Sequence, residues 1–109
     1  MKYAFYSDPD HGWLKVSVDE INQLAIIQDI SADSYISACG KYAFLERDTD
    51  CQIFLNAVLT ADWFQDFESI GRCTKEFYSS FPSFIRNLES FSTYKEKRIS
   101  QVYTKSFEL

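Results

Sequence analysis

The apolar positions of this chain change period along its length. Tyr3 to Ser7 and Trp13 to Val16 are short apolar runs on either side of Asp8-Pro9-Asp10-His11-Gly12. Pro presets φ at one turn position and Gly supplies the positive φ that a loop of this length usually needs, so the two runs predict a hairpin. Tyr35 to Ala38 and Lys41 to Leu45 flank Cys39-Gly40 and predict a second hairpin closed by a two-residue primed turn. Ser17-Val18-Asp19-Glu20 has the spacing of a capping box, and Ile21, Leu24 and Ala25 form the inner face of the helix it opens. Thr49 and Gln52 repeat that spacing, after which Phe54, Ala57, Val58 and Ala61 recur at i, i+3, i+4 and i+7, one apolar stripe turned towards the sheet. Four strands and two helices thus fill the first sixty residues.

The remainder is less periodic. Thr60-Ala61-Asp62 is a possible cap for a new helix with Trp63, Phe64, Phe67 and Ile70 on its apolar face and Gly71 as its stop. Arg72 to Ser80 has no clear period. Phe81 to Leu88 fits either a helix with Pro82 at its first position or an extended segment. Ile99 to Phe107 reads as a strand from its Val, Tyr and Thr content, although its apolar spacing also suits a helix. The predicted class is α+β: a single domain over residues 1–109 in which two hairpins make an antiparallel sheet with helices on one face, and residues 61–109 add an aromatic and basic part.

At 109 residues the chain has length for one core. An aromatic share of 17% makes up for part of the size so small a core lacks through large buried rings, and the rings beyond that need are candidates for a partner surface, with plain core or a homodimer seam as the alternative. There is no run of about 18 apolar residues, and Asp8 follows the first apolar residues too closely for a signal-peptide core, so a soluble cytoplasmic protein with no membrane contact is expected. Cys39, Cys51 and Cys73 match no zinc spacing and read as reduced, mostly buried thiols.

Charge divides the chain. Residues 1–70 carry four bases against twelve acids, whereas residues 71–109 carry seven bases against four, so one end is acidic and the other basic. Glu46, Asp48 and Asp50 alternate like the opening of a calcium loop, but the later positions hold Ile53 and Leu59 where Gly and Glu are needed. Asp8, Asp10 and His11 share a turn, where Asp already has a structural reason, so no metal or other cofactor is expected. With one histidine, no G-x-S-x-G and three isolated glycines, nothing assembles a nucleophile or a phosphate loop, and an enzyme is not expected. Lys95, Lys97 and Arg98 near Tyr94 and Tyr103 are the sequence's candidate for weak nucleic-acid binding; the overall pI of about 4.7 opposes it, and direct binding is not expected.

His11-Gly12-Trp13-Leu14-Lys15-Val16, Ser34-Tyr35, Tyr42 to Asp50 with Phe54, and Ile85-Arg86-Asn87-Leu88 together resemble a group of small bacterial, plasmid and phage proteins of unknown function, whose pattern is HGWL-x-V, YSY, YLEEDxD-xxxF and IR-x-L. The chain departs from it at Arg47, where the pattern has an acid, and at Ile36, where it has Tyr. The resemblance implies carriage on mobile elements, where small acidic proteins often inhibit host defence. The expected role is an inhibitor that binds a host protein complex, such as a CRISPR effector or a restriction enzyme, in the bacterial cytoplasm. A regulatory or toxin-neutralising binder is the alternative. Glu46, Asp48, Asp50, Asp62 and Asp66 are the residues expected to steer towards a basic channel, with Trp63 and Phe64 as aromatic anchors.

Overall fold

The computed structural model describes residues 2–98. Its centre is a six-stranded sheet: β1 (Tyr3–Ser7), β2 (Gly12–Ser17), β3 (Tyr35–Ile36), β4 (Tyr42–Glu46), β5 (Thr74–Tyr78) and β6 (Glu89–Ser90), in the spatial order β5-β1-β2-β4-β3-β6. Helices α1 (Val18–Gln23), α2 (Asp50–Thr60) and α3 (Phe67–Arg72) connect them, and residues 91–98 are also helical. The class is α+β, as the sequence implies.

Both hairpins form, and β2 joins them by pairing antiparallel with β4, Leu14 opposite Leu45. Alternation along the strands sorts side chains onto two faces. Tyr3, Leu14, Val16, Ile36, Ala43 and Leu45 turn to the helices and meet Ile21, Phe54, Val58, Ile70 and Phe91 in the main core. Trp13 and Phe44 turn the other way and are covered by Ile85, which a short 3-10 helix at Phe84–Asn87 presents.

The details correct several expectations. Gly12 is not at positive φ; its reason is space, because a Cβ there would sit 2.6 Å from Cζ of Phe5. Gly40, with φ +74, does take the left-handed turn position. Its turn is longer than two residues, since Ser37 N–H bonds Tyr42 O and Gly40 N–H closes back on Ser37 O. The Ser17–Glu20 capping box forms with both reciprocal bonds, but Ala25 lies past the end of α1, exposed and at φ +57.

Helix α2 starts where expected and without the Thr49 cap: no side-chain cap bond forms there, because the Thr49 hydroxyl donates to Glu46 Oε2 instead. At its other end the helix stops at Thr60. Asp62 adopts φ +60, Trp63 N–H bonds Val58 O and Asp62 N–H bonds Leu59 O, the paired closure of a Schellman motif. Asp62 therefore ends α2 rather than opening a new helix, and α3 begins at Phe67 with Asp66 as its cap.

Segment 72–80, aperiodic in sequence, contains β5, which runs parallel to β1 at the sheet edge with Tyr6 opposite Phe77. The 3-10 helix opens after a Ser83 cap, so Pro82 is not its first residue. The strand predicted at Ile99 to Phe107 lies outside the described residues. Of the three free thiols only Cys51 is buried; Cys39 is exposed.

Candidate functional site

A turn, two strands and a helix start converge on a cleft beside Trp13. The turn after β1 contributes Asp10 and His11, the approach to β3 contributes Asp33 and Tyr35, the end of β4 contributes Glu46 and Asp48, and Arg86 closes the far side, around a volume of about 510 Å³. Trp13 forms the apolar wall, its ring 6.2 Å from that of Tyr35 and 5.8 Å from that of His11, with the Arg86 guanidinium 5.8 Å from its centroid.

Three internal bonding networks hold this arrangement. Asp8, whose side chain is wholly buried, accepts from Arg86 Nε at 2.8 Å and Nη2 at 2.9 Å and from the N–H groups of Asp10, His11 and Ser83. The Arg86 guanidinium, and then those backbone donors, keep the Asp8 carboxyl far below the usual carboxylate range, and the same pair raises the Arg86 pKa. Glu46 is nearly buried and accepts from Asp48 N–H, Thr49 N–H and the Thr49 hydroxyl through Oε2, which satisfies donors at the start of α2. Asp50 is fully buried; its Oδ2 accepts from Ser31 N–H, Ser31 Oγ and Ser34 Oγ, and Ser34 Oγ in turn accepts from Glu46 N–H.

Of the acidic corner, therefore, Glu46 and Asp50 are turned inward as structural acceptors. Asp48 faces solvent with 75% of its side chain exposed, 3.6 Å from Arg47 Nε. Asp10 and Asp33 join it on the cleft rim, which the sequence did not single out as one surface. Asp10 is also exposed, its nearest cation Arg86 Nη2 at 3.9 Å.

The other expected contact residues stand beyond the opposite end of α2. Trp63 and Phe64 are half-buried against the core, the Phe64 ring 6.0 Å from Tyr3, with Lys2 Nζ 5.5 Å from the Trp63 centroid. Asp66 caps α3 by accepting from Ser69 N–H and Oγ; the Ser69 hydroxyl, then its N–H, lowers the Asp66 pKa. Asp62 holds the helix terminus described above. These four residues do not border the cleft.

One polar atom on the cleft wall is left over. Trp13 is 2% exposed, and its Nε1–H is buried with no hydrogen-bond acceptor among the described residues. A buried donor without a partner ordinarily costs about 1–3 kcal/mol, and Asp50 Oδ1 is in the same state within the core. No group of three or more His, Cys, Asp or Glu suited to a metal ion occurs among the described residues, and none of the described helices is long and apolar enough to cross a membrane.

No known protein family, curated protein or solved structure matches the chain. The cleft has an acidic rim and an aromatic wall.

Proposed function

We propose that this protein is a non-catalytic binding protein whose cleft receives a basic segment of a partner protein, and that it acts as a stoichiometric inhibitor of a host defence complex of the CRISPR or restriction type. The observation that carries the binding reading is the gathering of three exposed carboxylates, Asp10, Asp33 and Asp48, on the rim of one cleft. A Lys or Arg side chain entering the cleft beside the Tyr35 ring finds carboxylates for its charge. Complexes that handle nucleic acid present such basic segments in their channels, and an acidic rim steers towards them. The inhibitory role on a mobile element rests on the sequence resemblance.

The test is titration of the purified protein into CRISPR effector and restriction nucleases, read as loss of DNA cleavage and as complex formation by calorimetry. Inhibition at one-to-one stoichiometry that the double variant Asp33→Lys, Asp48→Lys weakens at least tenfold supports the proposal. Binding indifferent to that charge reversal removes the cleft from it, and lack of inhibition across the panel removes the inhibitor role.

A further inference from the structure

The sheet face opposite the main core is only partly covered, and its open portion has a composition unlike the rest of this acidic molecule. Ala4 sits between two lysines, Lys15 on β2 and Lys75 on β5, as its cross-strand neighbours. In the next row Tyr6 lies between Trp13 and Phe77, its ring stacked on Phe77 at 4.9 Å and 13°. Phe84 stands edge-on to Tyr6 at 5.7 Å, and Tyr42 stands at the end of β4. Three rings of this face, Tyr6, Tyr42 and Phe77, thus border a shallow depression of about 310 Å³ floored by the small Ala4.

Two features set this surface apart from ordinary core. Phe77, Tyr42 and Phe84 are 40, 41 and 54% exposed. Among the described residues, neither Lys15 nor Lys75 has a carboxylate within ion-pair distance; each instead lies over a ring, Lys15 Nζ 4.3 Å from the Tyr42 centroid and Lys75 Nζ 5.2 Å from that of Phe77. The carboxylate beside the depression, Glu20, is engaged by Lys2, by the Tyr3 hydroxyl and by the N–H and hydroxyl of Ser17. Alternation along β5 sends Glu76 to the other side of the sheet, into the groove lined by Phe5 and Leu14. The depression is lined by Lys2, Lys15 and Lys75 against Glu20, so its local charge is positive although the net charge of the chain is -5.

We infer that this face binds single-stranded nucleic acid, with unpaired bases stacking on Tyr42 and Phe84 and backbone phosphates meeting Lys15 and Lys75. Exposed rings interleaved with unpaired cations on a sheet are what a flexible strand uses: each base has a π-face to stack, and each phosphate a cation to meet. A duplex keeps its bases stacked within itself and gains from the lysines alone. The lysine cluster that the sequence suggested is occupied elsewhere. Lys95 donates to Ile30 O at 2.6 Å, Lys97 pairs with Glu89 at 2.8 Å and Arg98 donates to Asn22 Oδ1 at 3.2 Å. The inference is independent of the Trp13 cleft and of the inhibitor reading.

The experiment is fluorescence anisotropy with labelled 12-nucleotide DNA and RNA single strands of mixed pyrimidine sequence, the matching duplexes and a labelled mononucleotide, at 50 and 200 mM salt. The expected result is single-strand binding at least fivefold tighter than duplex binding, weakened at least tenfold by Lys15→Glu with Lys75→Glu. The dependence on salt should be shallower in that variant, because about two fewer counterions are released. Lys97→Glu, which reverses a cation outside the face, should change affinity less than twofold. Amide shifts confined to β1, β2, β4 and β5 on titration locate the strand without any substitution. No single-strand binding at 50 mM salt, equal affinity for duplex, binding of the mononucleotide alone, or equal loss in Lys97→Glu would each overturn the inference.

Discussion

Arg86 Nε lies 2.8 Å from Asp8 Oδ2, joining residues 78 positions apart across the end of the sheet. The bond anchors the 3-10 helix to the first hairpin and sets the wall on which the cleft depends. Because Asp8 also answers three backbone N–H groups, its charge is used in full by the folded state.

The sign of the pH dependence follows. A carboxyl held below its ordinary pKa near 3.9 gives stability that is complete above that value and is lost as pH falls through the folded one. The melting temperature should therefore fall steeply below about pH 4. Asp8→Asn should be less stable by about 3 kcal/mol at pH 7 and should show a flatter melting profile between pH 4 and 2. A variant whose melting curve parallels wild type across that range contradicts the assignment.

Glu46 makes a second prediction. Truncation by Glu46→Ala leaves the N–H groups of Asp48 and Thr49 without their acceptor and should cost about 1–2 kcal/mol, several degrees in melting temperature. Thr49→Ala should cost less, because the Thr49 hydroxyl donates to Glu46 and caps nothing. Thermal unfolding of the two variants separates these roles.

Gly12 makes a third. Gly12→Ala should destabilise the protein by about 1–3 kcal/mol through overpacking against the Phe5 ring, and Phe5→Leu in the same chain should recover part of the loss. A double-mutant cycle by chemical denaturation with no coupling would place the strain elsewhere.

The thiols differ in a way that labelling can read. Burial, and then the nearby Glu46 carboxylate, pushes the Cys51 thiol up to about 11, whereas the Ser37 hydroxyl beside the exposed Cys39 lowers its pKa. Under native conditions at pH 8, a maleimide should modify Cys39 first and leave Cys51 until the protein unfolds. Peptide mapping of the singly labelled product checks the order.

What the sequence made legible was local. The two hairpins, the Ser17 capping box and the Phe54–Val58 stripe depend on neighbours within a few residues, and all are present. Thr49 illustrates how a local rule is overridden: Glu46 at the end of β4 accepts from both the Thr49 N–H and the Thr49 hydroxyl, and the Gln52 N–H bonds the Thr49 carbonyl instead of the hydroxyl. Strand β5 was silent because an exposed edge strand has no buried face to impose a period of two. The cleft was half legible. Glu46 and Asp48 stood out as charges, but their inward and outward directions, and their meeting with Asp33 and Arg86, are set by tertiary contacts between distant segments.

The strand order β5-β1-β2-β4-β3-β6 also has a bearing on synthesis. The inner four strands are all made within the first 46 residues, whereas the two that pair with their outer sides come from residues 74–78 and 89–90. While the chain emerges, the sheet grows from the middle outwards, and β1 waits through the making of three helices before β5 arrives. A nascent chain stalled near residue 66 would leave the apolar β1 as its open edge, whereas in the finished sheet β5 covers β1 and sets the charges of Lys75 and Glu76 at the edge, which discourage pairing with a stray copy. Ribosome-released fragments ending there should accordingly pellet, while fragments ending after Arg98 stay in solution, so the last third of the chain serves as the guard of the first.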